Sequence, residues 1–456
     1  MIIKKFKRRD VVDSWIINET KNTNLKDLRL EQRLAKIIDQ LSATPSASIP
    51  EACQTAAATK AAYRFFDNDN VDADAIREGF FIATAKRIND YETVLVASDI
   101  TDLNYIAHKA LKSKGVLRNF KASGLIMHSA LAMSVDGLPL GLLDQMFWYR
   151  KSEDYGKRIR RADLPIEEKE SYRWVQSLSN VAKQMPAKTK WIFVGDRGAD
   201  IYELFLNDRP ANCELLIRML HNRRLSSKSK LFDVLENIPT AGTMTIELDA
   251  NAEREKRTAI CDVRYTTVTL KSPMHKDLPQ LTINAIYLKE NTAEVSNSIE
   301  WRLLTTAPIN CLEDAVKYIG WYVKRWVIER YHFTLKSGCK IEELQLEEAE
   351  RINRALAVYS IIAWRLMSIT YLARTNPDDL CTNSLSNDEW KALHCFVHKV
   401  KNPPEIPPTM QKAILMLARL GGFLGRKNDG DPGMKVVWRG LRRLDDIVET
   451  YKIFAF

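Results

Sequence analysis

Segments that read as strands alternate with helical segments through the middle of the chain, and this alternation limits the fold more than any other feature. An apolar run at residues 93–98 (TVLVAS) stops at Asp99, and a second run at 191–195 (WIFVG) stops at Asp196. Between these runs, residues 125–148 read as a hairpin, because two apolar segments flank an Asp-Gly turn signal. Strands interleaved with helices predict an α/β core with a mixed sheet.

The two ends of the chain and one internal segment differ from this core. The N-terminal region shows apolar residues at helical spacing over 25–41 and an Ala-rich helical stretch at 56–66. From about 222 to 306 the chain turns to strands, which we interpret as a β insertion into the core. Helical segments resume at the C-terminal end. We therefore predict a domain at 1–72, a second at 73–373 that contains the insertion, and a third at 374–456.

The charge of the chain favours a polyanionic partner. Its 68 Lys and Arg outnumber its 58 Asp and Glu, which gives a formal net charge of +10. Basic residues concentrate at 4–9, 218–230 and 398–443. Clusters in three separated places suit a polymer such as DNA that is held by its phosphates, although any one cluster is as readily a solvated surface.

The sequence shows no sign of export or of a membrane span. Its seven cysteines lack CxxC spacing, which argues against a disulfide framework. The basic N-terminus is not followed by the apolar core of a secretory signal, and no apolar run approaches the roughly 20 residues that span a bilayer. We therefore expect a cytoplasmic protein.

Polar residues near the two strand ends and on one later helix could form a single site. Loops at the carboxyl ends of strands in α/β sheets project side chains into a shared crevice, although a lone Asp there is more often a cap. In the segment 312–335, which reads as one helix, a stripe begins with Tyr322, Arg325 and Glu329 and continues to Lys336. A solvated stripe with an Arg–Glu pair is the alternative.

The spacing Tyr322-x2-Arg325-x3-Glu329-x6-Lys336 resembles the signature of the insertion-sequence-four family of bacterial DDE transposases. The resemblance runs along nearly the whole chain. Its other matched segments are AYRF at 62–65, Asp99-x-Thr101-x-Leu103-x-Tyr105, EKES at 168–171, Asp196-Arg197-x-Ala199-Asp200-Ile201 and ARLGGF at 418–423.

The resemblance implies a ribonuclease-H-like catalytic core in which Asp99, Asp196 and Glu329 are both catalytic residues and metal ligands. It implies two Mg²⁺ ions per active site, with Mn²⁺ as a substitute. The chemistry agrees, because carboxylate oxygens are ligands that Mg²⁺ and Mn²⁺ prefer. Two such ions can clamp the attacking and leaving oxygens of an in-line phosphoryl displacement.

The resemblance also implies a set of DNA contacts. Tyr322, Arg325 and Lys336 would hold phosphates near the metals. Arg197 and Arg218 would contact the terminal bases and the hairpin phosphates. Trp301 would stack on a flipped base. The alternative for Trp301 is a core residue, since a strand tryptophan is usually buried. His332 matches a family histidine, and the resemblance assigns it no role. The N-terminal domain would bind the transposon end through Arg29, Arg33 and Arg64. Leu30 and Phe333 stand where the family relative has Arg and Lys, which leaves the end specificity open.

The implied function is cut-and-paste DNA transposition. The enzyme would bind terminal inverted repeats and synapse two ends as a homodimer through its helical C-terminal region. It would then cleave through a 3′-hydroxyl and a hairpin, and join the ends to target DNA. Two alternatives remain open: a non-catalytic DNA-binding inhibitor of transposition, and a metal-dependent nuclease of the same fold.

Overall fold

The computed structural model describes residues 14–117, 122–150, 164–248, 257–274, 276–291, 298–426 and 429–454. The basic segment predicted at residues 4–9 lies outside these ranges.

The N-terminal region is helical, as its apolar spacing predicts. Its helices are α1 (Ser14–Thr20), α2 (Leu28–Ala43), α3 (Ile49–Cys53), α4 (Ala56–Phe66) and α5 (Ala73–Ile88). Three of these helices begin at a capping residue whose side chain accepts a hydrogen bond from a backbone N–H of the first turn. The caps are Asp27 before α2, Thr55 before α4 and Asp72 before α5. The apolar stripe of α2 is buried against neighbouring helices, through residues such as Leu34 and Ile38.

Within the described residues, ten strands form one sheet. The strands are β1 (Thr93–Asn104), β2 (Gly115–Val116), β3 (Ser123–Ser134), β4 (Pro139–Trp148), β5 (Lys190–Gly195), β6 (Cys213–Arg218), β7 (Gly242–Leu248), β8 (Arg257–Leu270), β9 (Leu281–Glu290) and β10 (Glu300–Thr305). β1, β3 and β4 are antiparallel neighbours, and β5 and β6 continue from β1 in parallel. This order, β4-β3-β1-β5-β6, is the ribonuclease-H-like arrangement, and it confirms the predicted fold class.

The strands of the β insertion extend this same sheet. β10 pairs with β6, with Leu303 opposite Arg218, and the sheet continues through β9 and β8 to β7. The insertion therefore shares backbone hydrogen bonds with the core and holds β10 beside the strands that carry the candidate site.

The remaining helices pack on the sheet and on one another. They are α6 (Tyr172–Gln184), α7 (Tyr202–Leu206), α8 (Leu231–Asn237), α9 (Leu312–Lys324), α10 (Trp326–Phe333), α11 (Ala349–Thr375), α12 (Asn387–His398), α13 (Met410–Leu420) and α14 (Met434–Phe454). In the described part of the chain, α11 alone has the length and apolarity of a membrane span, but 83% of its apolar window is buried inside the protein. It is the core helix that joins the sheet to the C-terminal helices.

The helix predicted at 312–335 is interrupted at Arg325. There the chain passes from α9 to α10 through short-range hydrogen bonds, since the N–H of Arg325 donates to the carbonyl of Tyr322 at 3.0 Å and that of Ile328 to the carbonyl of Arg325 at 3.1 Å. A π-helical turn, Thr334–Gly338, follows α10. The stripe from Tyr322 to Lys336 is therefore carried by three short helical segments.

Candidate active site and DNA-binding surface

Two of the predicted carboxylates are neighbours because their strands are parallel and in register. Ser98 in β1 pairs with Gly195, the last residue of β5. Asp99 follows Ser98 within β1, and Asp196 follows Gly195 directly after β5. The Asp196 carboxylate also accepts a hydrogen bond from the N–H of Gly198 at 2.7 Å, which fixes the turn after β5. The sheet itself thus brings these two carboxylates to one edge.

α10 brings the third carboxylate and two further polar side chains to the same edge. The guanidinium of Arg325 lies 2.6 Å from the Glu329 carboxylate and 4.0 Å from that of Asp99. Nδ1 of His332 lies 3.8 Å from the Asp99 carboxylate. Asp99, Arg325 and His332 are largely buried, whereas the Glu329 side chain is 37% exposed.

Crowding of negative charge changes the acidity of Asp99. Burial raises the pKa of Asp99 to about 7, and the charge of Asp196 and, less strongly, that of Glu329 act in the same direction, against Arg325. Within the described ranges, no three His, Cys, Asp or Glu side chains are gathered closely enough to hold a metal ion. Glu329 is paired with Arg325 instead.

A cluster of cationic side chains surrounds a buried tyrosine next to the carboxylates. The guanidinium groups of Arg218 and Arg325 lie near the Tyr322 hydroxyl, whose pKa is raised by burial despite these two charges. Burial and the nearby charges of Arg197 and Arg325 lower the pKa of Arg218. Arg197, Arg218, Tyr322 and Arg325 therefore form one positively charged surface.

Two tryptophans lie on this surface, and only one was predicted. Trp301 is half-buried in β10 and meets the ring of Tyr322 edge to face, with 5.5 Å between ring centroids. Trp326 at the start of α10 is 52% exposed, and the Arg325 guanidinium lies 5.3 Å from the centre of its ring. A large aromatic adjacent to the motif arginine was the sequence signal that would have identified Trp326.

Lys336 is tied to β1. Its Nζ donates a hydrogen bond of 2.5 Å to the carbonyl of Asp102, which lies farther along β1 than Asp99. The contact ties the π-helical turn to the strand that carries the first carboxylate.

The predicted N-terminal arginines lie on a separate surface. Arg29 and Arg33 are one turn apart on α2, and Arg64 lies on α4, which packs against α2. Arg29 is exposed and contacts Asp27, its own helix cap, at 3.0 Å. Arg64 lines a groove with Lys60 and Tyr63. No described contact joins these arginines to the carboxylate site.

Segments near the two ends of the chain match known protein families. Residues 12–71 match the model for the transposase DNA-binding family, and residues 361–455 match the model for the Tn5 transposase dimerisation domain. The chain belongs to the Tn5-like transposases. A structural search also aligns 97% of this transposase with 80% of a piggyBac transposase in a synaptic complex with hairpin DNA, at 11% identity and a TM-score of 0.39. That score is too low to support any detail of the assignment.

The matched segments agree with the surfaces described above. The DNA-binding segment spans α1 to α4 and includes Arg29, Arg33 and Arg64. The dimerisation segment begins within α11 and continues through α14. The transposase thus has a DNA-binding region and a dimerisation region at opposite ends of its sequence, and Asp99, Asp196 and Glu329 lie between them.

Proposed function

We propose that this transposase excises its element by a cut-and-paste pathway. It binds terminal inverted repeats, pairs two ends as a homodimer and nicks each end to give a 3′-hydroxyl. That hydroxyl attacks the opposite strand to form a hairpin, the hairpin is opened, and the freed 3′ ends are joined to target DNA. We place the enzyme in the bacterial cytoplasm, at the nucleoid.

The observation that carries this proposal is that Asp99 lies within electrostatic reach of Asp196 and Glu329, beside the cationic side chain of Arg325. The donor set contains only carboxylate oxygens, which suits Mg²⁺ or Mn²⁺. A positive charge would stabilise the ionised form of Asp99, whose pKa is raised by burial and by its acidic neighbours. In the structure, the Arg325 guanidinium supplies positive charge there through its contact with Glu329.

Asp99, Asp196 and Glu329 would hold two divalent ions. When bound, these ions would stabilise the charge on the entering and leaving oxygens of the phosphoryl group. The protein's own contribution is to position the DNA. Arg325 can contact a phosphate through two parallel N–H groups, whereas Lys336 acts as a point charge.

The hairpin step requires a sharply bent strand, and the aromatic residues offer a surface for an unstacked base. The contact of Trp301 with Tyr322 places its ring beside the cationic cluster. Base–aromatic stacking contributes about 1–3 kcal/mol per base. The exposed ring of Trp326 provides a second stacking surface next to Glu329.

The proposal is tested by following one labelled transposon end with the wild-type protein and with Asp99→Ala, Asp196→Ala and Glu329→Ala. Wild-type protein with Mg²⁺ should give a nick, a hairpin, a blunt end and joined product in that order. Each variant should bind the end with wild-type affinity but give no cleavage. Asp208→Ala, at an exposed carboxylate after α7, serves as the matched control.

Three results would refute the proposal. Cleavage at random positions would favour the nuclease. Tight end binding without any cleavage by the wild-type protein would favour the inhibitor. A carboxylate variant with near wild-type Mg²⁺-dependent cleavage would refute the metal-ligand assignment.

A further inference from the structure

A basic cleft of about 560 Å³ lies beside the carboxylate site. Three loops form most of it, namely those that follow β5, follow β6, and join β8 to β9. Its basic side chains include Arg197, His221, Arg223, Arg224, Lys271 and Lys276. None of its described lining residues comes from β10, α9 or α10. The cleft shares Arg197 with the positively charged surface described above, but Trp301, Tyr322 and Arg325 do not line it.

The two acidic side chains in this cleft are used to build its walls. Asp200 is buried, and its carboxylate accepts hydrogen bonds from the N–H groups of Leu220 and His221 at 2.7 and 2.8 Å and pairs with Arg223. Glu203 pairs with Lys276. Each acid is thus already matched by a cation of the cleft.

Backbone contacts hold the loops together. The N–H of Lys271 donates to the carbonyl of Arg224 at 2.9 Å, so these two basic residues are neighbours on adjoining loops. The Tyr202 hydroxyl donates to the carbonyl of Pro279 at 2.8 Å, which ties the start of α7 to the β8–β9 loop. The cleft is therefore a fixed feature of the fold.

This arrangement leaves an excess of exposed positive charge. Arg197, Arg224 and Lys271 are exposed, and none of them forms an ion pair with another residue in the described ranges. Cations held side by side without an acid repel one another, and an anion relieves that repulsion. Leu220 and Met274 are 52% and 69% exposed, so the cleft also offers apolar surface that can lie against a sugar.

We propose that this cleft binds the phosphate backbone of the target duplex during joining. The inference rests on the proposed function, because joining requires a second duplex to reach the same carboxylates as the transposon end. The surface that carries Trp301, Tyr322 and Arg325 is proposed above to bind the transposon end. The cleft adjoins the carboxylates, since its wall includes Arg197 and Gly198, which directly follow Asp196.

The test is the double variant Arg224→Glu and Lys271→Glu in the full-length protein. The matched control is Lys188→Glu and Lys190→Glu, which reverses two exposed charges at the opposite end of β5. One assay joins pre-cut ends to a plasmid, and a second measures binding of a fluorescent random-sequence duplex by the end-bound protein. Cleavage of an uncut end is measured in parallel.

We expect the cleft variant to join at least about tenfold less product while cleaving the end at the wild-type rate. Its affinity for the duplex should fall. The slope of log affinity against log salt concentration should decrease by the equivalent of about one to two phosphate contacts. The control should match wild type in all three assays. Unchanged joining and binding would refute the proposal. A parallel loss of end cleavage would also refute it, since it would place the cleft on the path of the transposon end.

The binding assay needs no catalysis, so the two proposals can fail separately. If the wild-type protein does not join but the cleft variant still loses duplex binding, the cleft assignment stands and the proposed function fails.

Discussion

The guanidinium of Arg325 lies 2.6 Å from the carboxylate of Glu329 and reaches to 4.0 Å from that of Asp99. This side chain supplies positive charge at the place where the proposed function requires a divalent ion. The same side chain is expected to hold a DNA phosphate during catalysis. A DNA phosphate that draws the guanidinium away from Glu329 would leave this carboxylate available to a metal ion, which would link DNA binding to the availability of Glu329.

This link predicts that Arg325→Ala increases the affinity of the DNA-free protein for divalent ions. Removal of the guanidinium frees Glu329 and leaves the negative charge around Asp99 without a partner. Mn²⁺ binding, followed by electron paramagnetic resonance, should tighten about tenfold, which corresponds to about 1.4 kcal/mol. Cleavage by the same variant should fall, because a phosphate contact is lost.

Arg330→Ala is the matched control, since Arg330 is an exposed arginine one residue beyond Glu329. Its Mn²⁺ affinity should equal that of wild type. Equal or weaker Mn²⁺ binding by Arg325→Ala would show that the guanidinium does not compete for this site.

A second prediction concerns the stability cost of Asp99. Burial raises its pKa from 3.8 to about 7. Between these values the folded protein retains a proton that the unfolded chain releases, so the free energy of unfolding falls as the pH rises, and the full cost is present above pH 7. Asp99→Asn removes this cost. In EDTA its Tm should exceed that of wild type by several degrees at pH 8 and by less at pH 5.

Asp208→Asn should leave the Tm unchanged at both pH values, because that carboxylate is exposed. A Tm difference for Asp99→Asn that does not grow between pH 5 and pH 8 would contradict the raised pKa.

Trp301→Ala should separate nicking from hairpin formation. The ring contacts Tyr322 but is only half-buried, so part of its surface is available to a base. Loss of about 1–3 kcal/mol of stacking slows a step that depends on it by about fivefold to more than a hundredfold. On denaturing gels the variant should accumulate nicked DNA. Trp301→Phe should recover part of the hairpin yield, and wild-type yield with Trp301→Ala would make the residue structural only.

The sequence predicted the strands of the core well, because each apolar run is short and ends at a polar residue. Asp196 directly follows β5, as predicted. The prediction that the first strand stops at Asp99 was wrong, because the polar residues after Ser98 stay paired with β3 and β1 continues to Asn104. The parallel register of β1 and β5 still makes Asp99 and Asp196 neighbours. The pairing of β10 with β6 was not predicted, since the contact between Leu303 and Arg218 joins segments 85 residues apart that carry no local signal of each other.

The interruption at Arg325 was also missed. The apolar spacing continues through it, and no proline or glycine marks it. Both interpretations of the polar stripe describe part of the result. Arg325 and Glu329 do form the i, i+4 ion pair of a solvated helix, but they form it beside Asp99. Helical spacing alone could not show what the stripe would face.

The last prediction concerns dimerisation. Removal of everything after α11 would be a poor test, because α14 supports the candidate site. Trp438 stacks on Phe333 with 6.0 Å between ring centroids, and the Thr334 hydroxyl lies 3.7 Å from the sulfur of Met434. Substitutions at the far end of α14 avoid this damage. There, Ile453 and Phe454 are 59% and 75% exposed.

Ile453→Asp combined with Phe454→Asp should therefore weaken pairing of two ends while leaving the fold and single-end binding intact. A charged residue at an apolar contact leaves an unpaired charge in the interface, which costs several kcal/mol. Gel shifts should show the single-end complex without the slower paired complex, and cleavage should fall at least about tenfold. Ile260→Asp, at a residue in β8 that is 55% exposed and lies outside the dimerisation segment, should behave as wild type. Because a two-fold complex completes both sites together, efficient cleavage by a variant that sediments as a monomer with one bound end would contradict the paired-end mechanism.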